Sequence, residues 1–474
     1  MKKLIIKDTL EIILRKTRIS FRMFFACMAT FFVTGCDDFV DTELPVSQLT
    51  ETGVFESPTT ANAAMVSIYA HLRDSGLLTG LPNGITNQMG HYADELTFYG
   101  DQENPTFSFY NNTLLASDPA VQGLWVSSYN VVYASNAVIE GVAASATLDT
   151  AMKSRLTGEA MFVRAMVHFY LLNLYGDIPY ITTTDYSQNS IVTRLPSAEV
   201  YSRIITDLIS AAALLPEEDF SGQRTRPNRY AANALLARVY LYASMWAEAS
   251  NAASFVLNNN SLYALETDLN EVFLNTSSET IWQLIPANSA NTNEGALFVF
   301  TAGPPPFTAL SPALMSAFET GDIRQLLWTN AVSDGTTTWH HAFKYKENVG
   351  TGVSSEFSVM IRVAELYLIR AEARARQGEL IGAKEDLNEI RNRAGLGDTD
   401  ATTAEQLLAA ILNERRVELF TELGHRFFDL KRFGVLDVVL SGVKPGWDPT
   451  DALLPIPESE LLLNPGLGTQ NPGY

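Results

Sequence analysis

Cysteine is nearly missing from this chain: its 474 residues hold only Cys27 and Cys36. Cleavage before Cys36 leaves a single thiol, so no internal disulfide can brace the fold and no nucleophilic cysteine is available. Histidine is scarce too. His71, His91, His168 and His425 stand alone, and His340 and His341 are adjacent, a poor spacing for joint metal ligation on a strand. The sequence therefore indicates no metal site. Positive charge is short, with 33 Lys and Arg against 53 Asp and Glu and a formal net charge of −20. Such a body repels phosphate backbones, and no basic run follows the N-terminus, so nucleic acid is excluded as a partner. There is no Gly-rich phosphate loop, no His-Glu-x-x-His, and no G-x-S-x-G elbow. Neither a cofactor nor a catalytic centre is indicated. A glycosidase-type carboxylate pair carries no motif, so composition alone does not speak to it.

No apolar run is long enough to span a bilayer. The longest candidate, Met23 to Val33, follows a basic stretch made of Lys2, Lys3, Lys7, Arg15, Lys16, Arg18 and Arg22. It ends in Val33-Thr34-Gly35-Cys36. Residues 1–35 read as an export signal. The terminal four residues resemble a bacterial lipobox, with Val33 where Leu is commonest. Cys36 is then the lipidation site, and acyl chains contribute about 0.8 kcal/mol per buried methylene. An ordinary secretory signal with a chance cysteine is the plainer alternative. The acidic stretch Asp37, Asp38, Asp41 and Glu43 resembles the signal that sorts lipoproteins to the outer face of the outer membrane.

What is abundant is helical periodicity. Residues 59–73, 120–143, 149–175, 197–215, 228–243 and 246–258 have apolar residues at three- and four-residue spacing and much alanine. Helices return at 361–394 and 404–440, before a Pro-rich tail. Ala237, Tyr240 and Ala249, and later Ala371, Gly378, Ala383 and Leu387, place small and large residues where tetratricopeptide (TPR) helix pairs interlock. The fold class is mostly α, a TPR-like helical-repeat core. Between the pairs, residues 261–360 are rich in Asn, Thr, Ser, Gly and Pro, with β-like runs such as Thr280 to Ile285. Gly303-Pro304-Pro305-Pro306 continues neither a helix nor a central strand. This reads as a loop-rich, partly β insertion, and repeat stacks often bear insertions on the binding face.

Several blocks resemble the signature stretches of the SusD/RagB family. Gly158-Glu159-Ala160-Met161-Phe162-Val163-Arg164-Ala165 leads to Tyr175-Gly176-Asp177-Ile178-Pro179. Arg362 to Ala373, Leu387 to Ala394, Asn413 to Leu419, and Arg426-Phe427-Phe428-Asp429-Leu430-Lys431-Arg432 follow in family order. The tail from Leu454-Pro455-Ile456-Pro457 to Gln470-Asn471-Pro472-Gly473-Tyr474 is also similar. The chain is short for the family, and Phe433 stands where Trp is frequent. The resemblance implies a helical part over 36–260, a ligand-facing insertion over 261–360, and a C-terminal part over 361–474. It also implies no catalysis: an outer-membrane, cell-surface lipoprotein that captures glycans and passes them to a SusC-like TonB-dependent barrel facing its helical side. Peptide capture, as in RagB-like members, and a TPR scaffold without a small ligand are the alternatives.

Arg164, Arg370, Glu414, Arg415, Glu418, Arg426 and Asp429 have the spacing of paired charges between packed helices rather than of a carboxylate active site. Sugar recognition needs flat apolar faces beside planar hydrogen-bonding groups. Tyr92, Phe98, Tyr99, Phe109, Tyr110 and Asn111 meet that need in polar, loop-like surroundings around Asp94-Glu95, and the resemblance implies ligand-stacking residues in the loop after that pair. Phe300, Phe307 and Trp339 meet it in the insertion. Core packing is the competing reading for each, since Phe298-Val299-Phe300 alternates like a strand. Trp125, Trp246 and Trp282 lie in regular elements and are expected in the core.

Overall fold

Ser57 accepts a hydrogen bond from the Thr60 N–H, and Pro58 opens the first long helix, α1 (Pro58–Asp74). That start combines a side-chain cap with a first-turn proline whose missing N–H costs nothing there. The computed structural model describes residues 51–287 and 290–474. The expected export signal 1–35, Cys36 and the acidic stretch after it lie outside the described residues.

The helices follow in chain order as α2 (Ile85–Tyr92), α3 (Thr106–Asn111), α4 (Pro119–Ala144), α5 (Thr150–Tyr175), α6 (Ser197–Leu214), α7 (Arg229–Tyr242) and α8 (Trp246–Leu257). Later in the chain come α9 (Val363–Arg376), α10 (Leu380–Arg393), α11 (Ala404–Glu418) and α12 (His425–Arg432), and shorter helices lie elsewhere in the described residues. Each helix from α4 to α8 packs on the next, α8 packs on α9, and α9 on α10. The result is the expected stack of TPR-like pairs. Ala237, Ala249, Ala371 and Ala383 are fully buried where the helices cross, so backbones approach closely. Gly378 turns α9 into α10 with φ +82, a left-handed conformation that favours glycine.

The periodic run 404–440 is broken. Thr421, Leu423 and Gly424 all have positive φ, at 53°, 48° and 70°. Two non-glycine residues in that region are costly, and tertiary contacts hold them there. The Thr421 N–H donates to a Glu95 carboxylate oxygen at 2.7 Å, and the Leu423 N–H donates to Thr86 Oγ1 at 3.0 Å.

Among the described residues, three two-stranded antiparallel sheets form the β part: β1 (Leu96–Phe98) with β3 (Thr308–Leu310), β2 (Thr280–Leu284) with β6 (Ser358–Arg362), and β4 (Thr329–Ser333) with β5 (Thr338–Ala342). Pairing of β1 with β3 joins two segments that lie far apart in the sequence. The signature charges are indeed structural. Arg164 pairs with Asp207 at 2.8 Å, Arg370 with Asp386 at 2.7 Å, and Arg415 with Asp429 at 2.7 Å. Arg362, less than 3 % exposed, contacts Glu279, Glu418 and Glu422, while Arg324 contacts Asp322, Glu414 and Glu418. Burial alone would raise the Glu418 carboxyl, but Arg393, Arg362 and Arg324 hold it well below the usual range. Trp125 and Trp282 are core residues as expected, and Trp246 is half-buried against the same core. Among the described residues no helix is long and apolar enough to cross a membrane.

Candidate functional site

Two extended segments meet one residue beyond the β1–β3 ladder, where the Tyr99 N–H donates to the Phe307 carbonyl at 2.8 Å. Around this point the structure gathers rings from three segments. Phe98 lies 5.3 Å from Phe307, 5.9 Å from Phe107 and 6.3 Å from Tyr110, centroid to centroid. Gly100 allows the close fit, because a Cβ there would come within 2.7 Å of Phe98 and 3.1 Å of Phe307. Tyr99 is 40 % exposed and marks the outer edge. Phe107, Tyr110, Asn111 and Phe307 are half-buried and present partial faces. The exposed loop Asp101, Gln102 and Glu103 follows Gly100.

Beneath the rings the support is polar but closed. His91 is fully buried, edge-on to Phe98, Tyr110 and Phe307, and neither of its ring nitrogens has a hydrogen-bond partner. Burial, then the nearby Lys444, holds its pKa well below the ordinary value, so it is neutral packing. Lys444 Nζ lies 4.2 Å from the Tyr110 ring centroid and donates to the carbonyls of His91 and Tyr110. Burial pushes this lysine down to about 7. Nothing in the sequence around Lys444 signalled that role. Burial, then Tyr99, raises the Tyr110 hydroxyl, which keeps it a neutral donor.

Five of the nine expected contacts are withdrawn from the surface. Tyr92 and Phe109 are fully buried and pack edge to face at 6.0 Å. Their surroundings are helices rather than a loop, since α2 and α3 contain them. Phe98 is 9 % exposed and forms the floor under its neighbours. Phe300 and Trp339 belong to a separate small cluster with Ala309, and Gly303 lies across the Trp339 ring. Tyr99, Tyr110, Asn111 and Phe307 are therefore brought together, while Phe300 and Trp339 are not part of the same surface.

A different aromatic groove of about 410 Å³ lies on the helical side, lined by Trp125, Tyr129, Tyr133 and Tyr186 with Leu463. Tyr186 is 82 % exposed there. Among the described residues no group of His, Cys, Asp and Glu is arranged to hold a metal.

Residues 38–241 match the family model described as "Starch-binding associating with outer membrane", and residues 326–474 match that of the SusD family. The SusD-like protein P2 of Formosa agariphila is 27% identical over 509 residues, spanning 93% of this chain and 97% of the relative. Among solved structures, a SusD superfamily protein from Bacteroides vulgatus superposes with a TM-score of 0.78 at 24% identity, over 89% of this chain and all of that one. A laminarin-binding SusD-like protein superposes with a TM-score of 0.75, also at 24% identity, covering 89% of this chain and all of the other. By its signature blocks, its helical architecture and these matches, the chain belongs to the SusD/RagB family.

Proposed function

We propose that the chain is a non-catalytic glycan-capturing lipoprotein, held at the cell surface through Cys36, that delivers its ligand to a SusC-like TonB-dependent transporter. The observation that carries the reading is the aromatic platform formed by Tyr99, Tyr110 and Phe307 beside Asn111 and the exposed Asp101 to Glu103 loop. A pyranose ring offers an apolar C–H face to such rings, and its hydroxyls match the amide and carboxylates at the rim. The platform is rigid before binding, because Gly100, Lys444 and the β1–β3 pairing fix it, so little ordering entropy opposes capture. The laminarin-binding relative with the same fold supports a glycan as the ligand class. The groove at Tyr133 and Tyr186 belongs to the helical side, which the family resemblance assigns to the barrel.

Affinity electrophoresis of the chain lacking residues 1–36, against a panel of polysaccharides and peptides, tests this. Retardation by one glycan class is expected. Tyr99→Ala is expected to weaken that binding about five- to tenfold, the loss of one stacked ring. Tyr186→Ala is expected to leave it unchanged. Retardation by peptides alone would replace the glycan reading with peptide capture.

A further inference from the structure

A second cavity of about 430 Å³ has a charge opposite to that of the rest of the molecule. Arg73 and Tyr69 of α1, Arg155 of α5, Phe220 and Arg226 of the segment before α7, and Ile285 beyond β2 line it. No Asp or Glu is among its lining residues, although the chain carries 53 of them against 33 Lys and Arg. Arg73 is paired with Asp74 outside the lining, and the carboxylate that answers Arg155 and Arg226 from within, Glu159, is fully buried and already shared three ways. It accepts from the Tyr69 hydroxyl at 2.7 Å, from Arg155 at 2.9 Å, and from Arg226 Nε. One buried negative charge therefore faces two guanidinium groups.

The excess shows in the hydrogen bonds. Arg155 and Arg226 both turn surplus N–H groups to the neutral Asn62 Oδ1, at 3.5 and 3.2 Å. Arg226, whose side chain is 9 % exposed, has a buried Nη2 with no hydrogen-bond partner. A guanidinium with donors left over is the arrangement that accepts an oxyanion, and its planar fork suits a carboxylate or sulfate oxygen pair. The walls add an apolar demand. Phe220 is 43 % exposed with Arg155 4.5 Å from its ring centroid, and Val66 and Ile285 are each 47 % exposed at the cavity.

We propose that this cavity is a second ligand site, for an oxyanion carried on a small body with an apolar face, such as an acidic sugar. It shares no residue with the Tyr99 platform, so the two assignments stand or fall separately. Two sources supply the same chemistry, a uronate carboxylate and a sugar sulfate ester.

Calorimetry on the chain lacking residues 1–36 distinguishes them, with digalacturonate, galactose 6-sulfate and neutral galactobiose as probes at low salt. At least one anionic probe is expected to bind, with affinity that falls as salt is added. Ile285→Asp places a carboxylate at the rim without touching the Glu159 cluster and is expected to weaken that binding about tenfold. Val66→Glu is a second variant of the same kind, and Tyr99→Ala is expected to have no effect on this site. Binding of digalacturonate alone assigns a carboxylate, and of the sulfate alone a sulfate ester. Absence of binding by both anions, or binding that neither Ile285→Asp nor Val66→Glu weakens, would overturn the proposal. Galactobiose binding that Tyr99→Ala abolishes bears on the platform only.

Discussion

Replacing Asp94 with alanine is expected to lower the unfolding free energy by about 3–5 kcal/mol, the usual loss when one partner of a buried ion pair is removed. The Asp94 side chain is 5 % exposed and serves two arginines at once. Its Oδ1 accepts from Arg426 Nε at 2.7 Å, and its Oδ2 accepts from Arg426 Nη2 at 2.9 Å and Arg416 Nη2 at 2.7 Å. Burial alone would raise this carboxyl, yet the two arginines hold it below its ordinary value. Without it, two guanidinium groups, 7 % and 15 % exposed, lose their ion-pair partner. The loss reaches the platform because Asp94 and Glu95 precede β1 directly. Ser311, just after β3, donates its hydroxyl to the Asp94 carbonyl and its N–H to the Glu95 carbonyl, and Thr421 donates to the Glu95 side chain. Chemical denaturation measures the stability loss, and the polysaccharide assay is expected to show weaker capture in parallel. A triple variant, Asp94→Leu with Arg416→Met and Arg426→Met, is expected to regain most of the stability, because burying no charge is cheaper than burying two unpaired ones. A single variant as stable as the parent would show that water reaches these arginines.

The same residues show how far the sequence could be read. Long helices announced themselves by apolar spacing, and α1, α4, α5, α6, α7 and α8 lie within a residue or so of expectation. The helix α2 did not, because Thr86, Asn87, Gln88 and His91 look like a polar loop yet are buried. Part of that polarity is absorbed by contacts remote in sequence or in a turn: Asn87 donates to the Pro82 carbonyl, Gln88 to Thr106, and Thr86 accepts from Leu423, while the His91 ring nitrogens stay without a hydrogen-bond partner. That hidden helix is why Tyr92 was expected at the ligand and lies in the core. Alternation of rings in a strand says that some are covered, not which ones, so Tyr99 and Phe98 separated only in three dimensions. The signature charges were legible as pairs from helical spacing. Their partners were not, since Arg416 and Arg426 meet an aspartate more than three hundred residues away. The arginine cavity is illegible for the same reason, being assembled from four separate segments.

Lowering the pH from 7 toward 4 is expected to destabilise the protein before most carboxylates titrate, because three buried histidines, His91, His168 and His425, must remain neutral to stay folded. Burial depresses His168 to about 3 and His425 to about 4, against about 6.5 in an unfolded chain. Below that unfolded value the unfolded state binds more protons, so stability falls as pH falls until the folded values are reached. The structure explains why His168 resists. Its Nε2 accepts from the Ile181 N–H at 3.3 Å, so Nδ1 carries the proton and donates to the Arg164 carbonyl at 2.9 Å. An imidazolium would set a second N–H against that of Ile181, beside the Arg164 charge and stacked 4.0 Å from Tyr180. Glu95 opposes the trend, since burial raises it to about 7 and folding then takes up a proton between its unfolded value and that pH. Each histidine kept neutral contributes a slope of up to about 1.4 kcal/mol per pH unit through the range from pH 6 to 5, while Glu294, Glu356 and Glu414, also raised by burial, act with Glu95 against it. Below about pH 4.5 the slope steepens, because Glu365 and Asp429 are each held at about 2 by their arginine partners despite burial, and their contribution is lost as those values are approached. Denaturant titrations at successive pH values measure the slope directly. His168→Gln is expected to lower overall stability but to flatten the dependence between pH 6 and 5, and His425→Gln to do the same independently. A slope unchanged in both variants would mean that neither imidazole is kept neutral by the fold.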